Sequence, residues 1–205
     1  SNSLALAIKT AEAAHKRKTK VVGVTTGLRD LDERLGGLHP SDLLILAGRP
    51  SMGKTALATN VAFNAALAKL EGKQGEGANV AFFSLEMSAE QLAGRLLAQE
   101  SGVPSDRIRR GQLEDAEFSR FAEVSRRLAN MPLYIDDTPA LSIAAVRTRA
   151  RRLHRKHGLG LIIIDYLQLL TAGKPGESRV QEVSEITRGL KALAKELHLP
   201  VIALS

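Results

Sequence analysis

The chain has 205 residues, 44% of them hydrophobic and 3% aromatic, with no cysteine and no tryptophan. That is material for one domain core, and it excludes a disulfide framework and any thiolate metal site. There is no apolar run of about 18 residues to cross a bilayer and no signal-peptide start, so a cytoplasmic protein without membrane contact is expected. The net charge of +7 suits a polyanionic partner as well as a merely basic surface. The scarcity of aromatics argues against single-strand binding built on base stacking, which leaves phosphate contacts, backbone amides and loops.

In chain order, Ser1-Asn2 reads as the remnant of a cleaved tag. Residues 3–18 carry Leu4, Ile8 and Ala11 at helical spacing and end in His15-Lys16-Arg17-Lys18. They predict a short amphipathic helix in an N-terminal piece, residues 1–20, set apart from a main domain over 21–205. Leu28–Leu35 reads as a short helix stopped by Gly36-Gly37, and Leu43-Leu44-Ile45-Leu46-Ala47 as a strand that runs through a glycine-rich loop into a helix ending near Leu70. Lys69–Gly77 is an exposed loop and Asn79–Ser84 a strand. Ser88 caps the next helix, with Gln91 in the capping-box position. Glu114–Asn130 is a helix whose stripe of Phe118, Phe121, Val124 and Leu128 is expected to pack in the core. Leu133–Ile135 is a strand, and Ser142 caps a helix running to about Lys156. Leu159–Ile164 is apolar throughout, the mark of a parallel strand buried on both faces. Ser178–Leu197 is a helix, and Pro200–Leu204 begins a fifth strand. Strands alternating with helices predict an α/β fold, a doubly wound and mostly parallel sheet with helices on both faces.

Gly48-Arg49-Pro50-Ser51-Met52-Gly53-Lys54-Thr55 fits G-x-x-x-x-G-K-[ST] in full. It lies between a strand and a helix that opens through Lys54, Thr55 and Ala56, the context in which this motif binds a nucleoside triphosphate. The glycines let the backbone turn its N–H groups toward phosphate oxygens, and the helix start adds its positive end. Lys54 supplies a mobile charge for the β- and γ-phosphates, and the Thr55 hydroxyl is offered to Mg²⁺. Leu161-Ile162-Ile163-Ile164-Asp165 ends a buried strand in a carboxylate at the edge where open α/β sheets bind ligands. Asp165 is read as the second metal-binding group. Phe82-Phe83-Ser84-Leu85-Glu86 ends similarly. Its strand is expected near the phosphate-loop strand, so Glu86 either orients and deprotonates the attacking water or simply begins the next helix.

The strings Gly23-Val24-Thr25-Thr26-Gly27-Leu28, Gly36-Gly37-Leu38, the phosphate loop, Ser84-Leu85-Glu86-Met87, Asp136-Asp137-Thr138-Pro139 and Ile164-Asp165-Tyr166-Leu167-Gln168-Leu169 occur in order. Together they resemble the C-terminal ATPase domain of the bacterial replicative helicases of the DnaB family over nearly all of residues 22–205. The resemblance implies a RecA-like P-loop fold, ATP and Mg²⁺ as cofactors, a hexameric ring, and hydrolysis that drives 5′→3′ movement on single-stranded DNA and unwinding at the fork. It implies a catalytic glutamate at Glu86 beside Lys54, and primase and a helicase loader as partners. It makes Thr171–Arg179, with Lys174 and Arg179, the first DNA-facing loop, against the alternative of an ordinary surface loop. Residues 3–18 resemble the end of the family's interdomain linker. Family members continue beyond the final strand into a sensor glutamine, a second DNA loop and an arginine finger. On that reading the chain is a C-terminally truncated domain expected to bind ATP–Mg²⁺ and hydrolyse it poorly. A RecA-like ATPase of the recombination or circadian-clock type shares the loop and the strand-end carboxylate and is the alternative.

Arg147–His157 is the densest basic stretch. With Val146, Ala150 and Leu153 inward, its arginines are expected to face outward as a solvated surface, an interface or a DNA contact. His154 and His157 lack a third ligand at suitable spacing for a metal. Nothing in the sequence gives Asp136-Asp137 a role.

Overall fold

A computed structural model of the protein describes residues 4–5, 7–9, 11–12, 21–73, 75–171 and 178–205. Five short strands, β1 (Leu43–Leu46), β2 (Val80–Ser84), β3 (Leu133–Asp136), β4 (Leu161–Asp165) and β5 (Val201–Leu204), form one sheet. Its order is β1-β5-β4-β2-β3, and every pairing is parallel. A parallel pair needs a crossover. The chain supplies helices α1 (Arg29–Leu35), α2 (Lys54–Leu70), α3 (Ala89–Ser101), α4 (Ser105–Arg110), α5 (Asp115–Leu128), α6 (Ile143–His157) and α7 (Arg179–Leu197).

The strand side chains alternate between two cores, as the period of two requires. Ala81, Phe83, Ile162, Ile164, Val201 and Ala203 face Val146 and Ala150 of α6 and Ile186, Leu190 and Leu193 of α7. Val80, Phe82, Leu161, Ile163, Ile202 and Leu204 face α2 and Leu92 of α3. Helix α2 presents Ala58, Val61, Ala62, Ala65 and Ala66 to the sheet. Small residues let the helix axis approach closely, which places the start of α2 over the middle of the sheet. The same close approach constrains Gly77, where an added Cβ would lie 2.1 Å from the Lys69 backbone nitrogen.

Helix starts follow the local chemistry. Ser88 and Gln91 form the capping box read from the sequence, Ser142 accepts from Ala145 N–H, and Ser178 with Gln181 forms a second such box. Helix α1 ends at Gly36, whose φ of 70° lies in the left-handed region glycine tolerates.

The segment before α1 is tied down by a buried carboxylate. Asp32 accepts from the hydroxyls of Thr25 at 2.6 Å and Thr26 at 2.7 Å, and from the Thr26 N–H at 2.8 Å. Asn64 of α2 donates to the Thr26 carbonyl at 3.0 Å. The pattern Thr25-Thr26-Gly27…Asp32 thus fastens the chain's entry onto the phosphate-loop helix. Asp32→Ala leaves the buried Thr25 hydroxyl and Thr26 N–H without their acceptor and is expected to cost about 3 kcal/mol. That corresponds to a drop in melting temperature of ~6–12 °C for a domain of this size, checked by thermal unfolding.

Two expectations are corrected, those for the α5 stripe and for the α6 arginines. Helix α5 has no buried residue, and Phe118 is 60% exposed. Its stripe rests on one side of α3 and not in the core, because α5 is an outer layer over another helix. Helical residues at the N-terminus leave Leu4 and Ile8 exposed at 70% and 53%, while residues 13–20 lie outside the described residues. The arginines of α6 are not simply outward. Arg151 pairs with Glu196 at 2.5 Å, Arg147 with the same carboxylate at 3.6 Å, and Arg149 with Asp136 at 2.7 Å. Among the described residues, no helix is long and apolar enough to cross a membrane.

Candidate active site

The phosphate loop leaves β1 at the C-terminal edge of the sheet and enters α2 at Lys54. Gly53 takes φ 82° at the helix cap, and Ser51 takes φ 65°. Two left-handed residues so close together make the loop wrap back on itself, the conformation in which successive N–H groups converge. Gly48, Arg49, Pro50, Ser51, Met52, Gly53 and Ala56 are exposed, while Lys54 and Thr55 are half-buried. The Lys54 ammonium donates to the Gly48 carbonyl at 2.5 Å and the Ser205 carbonyl at 2.8 Å. It is therefore folded across the mouth of its own loop. At Gly48 an added Cβ would touch the Lys54 side chain at 3.4 Å, an ordinary contact.

Asp165 ends β4 and is 1% exposed. Burial pushes its carboxyl above the usual range. A hydrogen bond from Thr55 opposes that shift, the nearby Glu86 carboxylate adds to it, and Lys54 and Arg95 oppose it. Its Oδ2 is buried without a hydrogen-bond partner. An orphaned carboxylate oxygen beside a threonine hydroxyl fits a hard cation that takes few protein ligands and completes its shell with phosphate and water. Among the described residues there is no cluster of three or more His, Asp or Glu that would hold a metal by itself. Thr55 and Asp165 are a donor set that Mg²⁺ arriving with a nucleotide would fit, with phosphate oxygens and water completing its shell.

Glu86 arrives by a route the sequence did not predict. Strand β2 is not beside β1; β5 and β4 lie between them. It pairs with β4 in the register Ser84↔Asp165, and Leu85 N–H donates to the Asp165 carbonyl at 2.8 Å. Glu86 thus stands exposed beside the Asp165 carboxylate. The phosphate loop reaches the same place from the far side, because α2 crosses the sheet toward β4. The pairing of β2 with β4 and the crossing of α2 together gather Lys54, Thr55, Glu86 and Asp165 at one edge.

Sequence reasoning did not single out several neighbours. The Gln168 side-chain amide donates to the Ser205 hydroxyl at 2.7 Å, linking the turn after β4 to the end of β5. Asp137 accepts from Ala89 N–H at 2.8 Å; an aspartate after a strand gives no local sign of capping a helix that begins 48 residues earlier. Lys174 lies outside the described residues. The Arg179 guanidinium is held by Glu182 and by the Gln168 carbonyl, so a phosphate at Arg179 would have to share it. His157 stacks on Tyr134 with ring centroids 4.1 Å apart, a packing role and not a ligating one.

A parallel sheet with a phosphate loop at one strand end, a carboxylate at another and helices on both faces defines a RecA-like P-loop ATPase domain. Two solved structures share it over the whole chain. One is an ATPase domain, with TM-score 0.88, 30% identity and 70% of that chain covered. The other is a DnaB-like replicative helicase described with its interactions with primase, with TM-score 0.85, 30% identity and 47% covered. The chain belongs to the DnaB-like helicase C terminal domain family, whose model matches residues 23–205. It is 53% identical over 195 residues to the replicative DNA helicase DnaB of Rickettsia bellii, covering 94% of this chain and 39% of that protein. To the helicase of the same name from Geobacillus stearothermophilus it is 46% identical over 195 residues, covering 95% of this chain and 41% of that protein. The chain thus spans about two fifths of the length of these relatives.

Proposed function

We propose that this domain is the ATP-hydrolysing motor of a replicative DNA helicase that moves 5′→3′ on single-stranded DNA as a hexameric ring and meets primase at the fork. The observation that carries the reading is the meeting of Lys54, Thr55, Asp165 and Glu86 at one sheet edge, with an orphaned carboxylate oxygen at its centre. The helicase names of the relatives support the assignment. The structural neighbour known with its primase interactions supports primase as a partner.

In this reading the loop amides of Gly48–Thr55 and the positive end of α2 bind the phosphates. Lys54 leaves the carbonyls of Gly48 and Ser205 for the β- and γ-phosphate oxygens. Thr55 and Asp165 hold Mg²⁺, which supplies neutralisation of phosphate charge when bound. Glu86, exposed and unencumbered by a hydrogen bond from its own strand, accepts a proton from the attacking water. Lys174 and Arg179 flank the loop assigned to DNA, a helicase loader is a further partner, and a cytoplasmic location follows from work at the fork.

The test is unwinding and ATP hydrolysis by the full-length protein with single-stranded DNA present and absent. DNA-stimulated hydrolysis with 5′→3′ unwinding is expected; hydrolysis without any movement on DNA would overturn the helicase reading in favour of another RecA-like ATPase. Within this domain, Lys54→Ala is expected to weaken Mg–ATP binding about 10- to 150-fold, the loss of one or two charge-assisted bonds of ~1.5–3 kcal/mol. Titration of a fluorescent ATP analogue reads it directly.

A further inference from the structure

The segment that carries Glu86 is a short crossing from β2 to α3, and its ends are fixed by bonds from three different elements. On one side, Leu85 N–H donates to the Asp165 carbonyl at 2.8 Å. Across it, the Ser84 hydroxyl donates to the Met87 carbonyl at 2.6 Å, closing a tight turn around Glu86. On the far side the chain enters α3 through the Ser88–Gln91 capping box, with bonds of 3.0 and 3.1 Å. That box occupies the amides of Ser88 and Gln91 and leaves the Ala89 N–H, which no residue of α3 can satisfy. It donates instead to Asp137 Oδ2 at 2.8 Å.

Asp137 is itself held. It follows the last residue of β3, whose Asp136 accepts two bonds from Arg149 Nη1 of α6 at 2.9 and 2.7 Å. The same nitrogen lies 2.8 Å from the Thr138 hydroxyl, sharing its hydrogens with it, and Thr138 N–H donates back to Asp136 at 3.1 Å. Burial would raise the Asp136 carboxyl, yet the bonds from Arg149 and Thr138 bring it below its ordinary value, so it stays ionised and the clamp stays charged. The turn Asp136-Asp137-Thr138 is therefore fastened to α6 and reaches across to the first turn of α3.

We propose that Asp137 is a positioning residue for ATP hydrolysis: through Ala89 it fixes the start of α3 and so the reach of Glu86 toward the attacking water. The inference rests on Glu86 being the proton acceptor. Nothing in the arrangement brings Asp137 to the phosphate loop, so its effect belongs to the chemical step and not to nucleotide binding. A displacement of order 1 Å in a reacting group can cost about 100-fold in rate, and loss of one of several anchors should cost less.

The experiment measures steady-state and single-turnover ATP hydrolysis by the full-length protein. Asp137→Ala is expected to lower kcat about tenfold while KM and nucleotide Kd stay within about twofold. Asp137→Asn, whose amide oxygen accepts the same bond, keeps kcat within about twofold. In a Glu86→Gln background, Asp137→Ala has no further effect, because the two act on one step. Glu117→Ala, which removes the side chain that accepts from the Glu114 N–H at the start of the outer helix α5, controls for general loss of stability and leaves kcat unchanged. Should Asp137→Ala fail to fold, Arg149→Gln releases the same turn and is expected to give the same kcat-specific loss. A normal kcat in Asp137→Ala, with Glu86→Gln inactive, overturns the positioning role and leaves Glu86 as the base. Equal losses from Asp137→Ala in both backgrounds also overturn it, as a purely structural effect. Full activity in Glu86→Gln overturns the reading of Glu86 and this inference with it.

Discussion

Glu86→Gln is expected to lower ATP hydrolysis by the full-length protein on the order of 10²–10⁴-fold, the range for removing a general base. The amide is nearly isosteric and cannot take a proton from water. Binding of Mg–ATP should persist, because Glu86 lies beside Asp165 and its charge is one cause of the raised Asp165 carboxyl. Removing that charge makes Asp165 easier to ionise and so, if anything, a better partner for Mg²⁺. Calorimetric titration with Mg–ATP alongside a phosphate-release assay separates the two effects. Hydrolysis within about threefold of the parent would mean that Glu86 merely opens α3.

Asp165→Asn should abolish Mg²⁺-dependent hydrolysis and yet stabilise the domain free of nucleotide. The carboxylate is 1% exposed with an oxygen that has no partner, and burial holds its carboxyl above the ordinary range. A group whose folded pKa is raised costs stability wherever it is ionised. The cost is present above the folded pKa and disappears as pH falls through it. The asparagine removes the charge at every pH. Its melting temperature at neutral pH is expected to exceed the parent's, because the asparagine carries no buried charge. The gap should close as the pH is lowered through the Asp165 titration. Melting curves of both proteins from neutral to acidic pH check the sign. A destabilised Asp165→Asn at neutral pH would show that the carboxylate is structural. Mg²⁺ binding by the parent should weaken over the same acidic range, since the cation competes with the proton for Oδ2.

Much of this is legible in the sequence. Ser88 with Gln91 announced the start of α3 because a capping box is a contact between residues three apart. The unbroken apolar run at 161–164 announced a central strand because both its faces meet helices. The stripe of α5 misled because amphipathic spacing records which face is covered, not how deeply. Phe118 meets an outer helix and water instead of the sheet. The pairing of Asp136 with Arg149 and of Asp137 with Ala89 left no trace in the sequence, since neither partner is near in the chain and both depend on where β3 falls in the sheet.

By itself the sequence determined the phosphate loop. Gly48–Thr55 needs only glycine at the turns, lysine and threonine at the helix start and an apolar strand before them, all of them local properties of the chain. The tertiary structure decided what that loop works with. The sequence expects β2 near β1 without giving the strand order; the fold inserts β5 and β4 between them and brings Glu86 to Asp165 through the register of β2 on β4. Strand order and helix crossing are set by which faces bury each other over long stretches of chain. Only the assembled sheet could place the carboxylates around the loop.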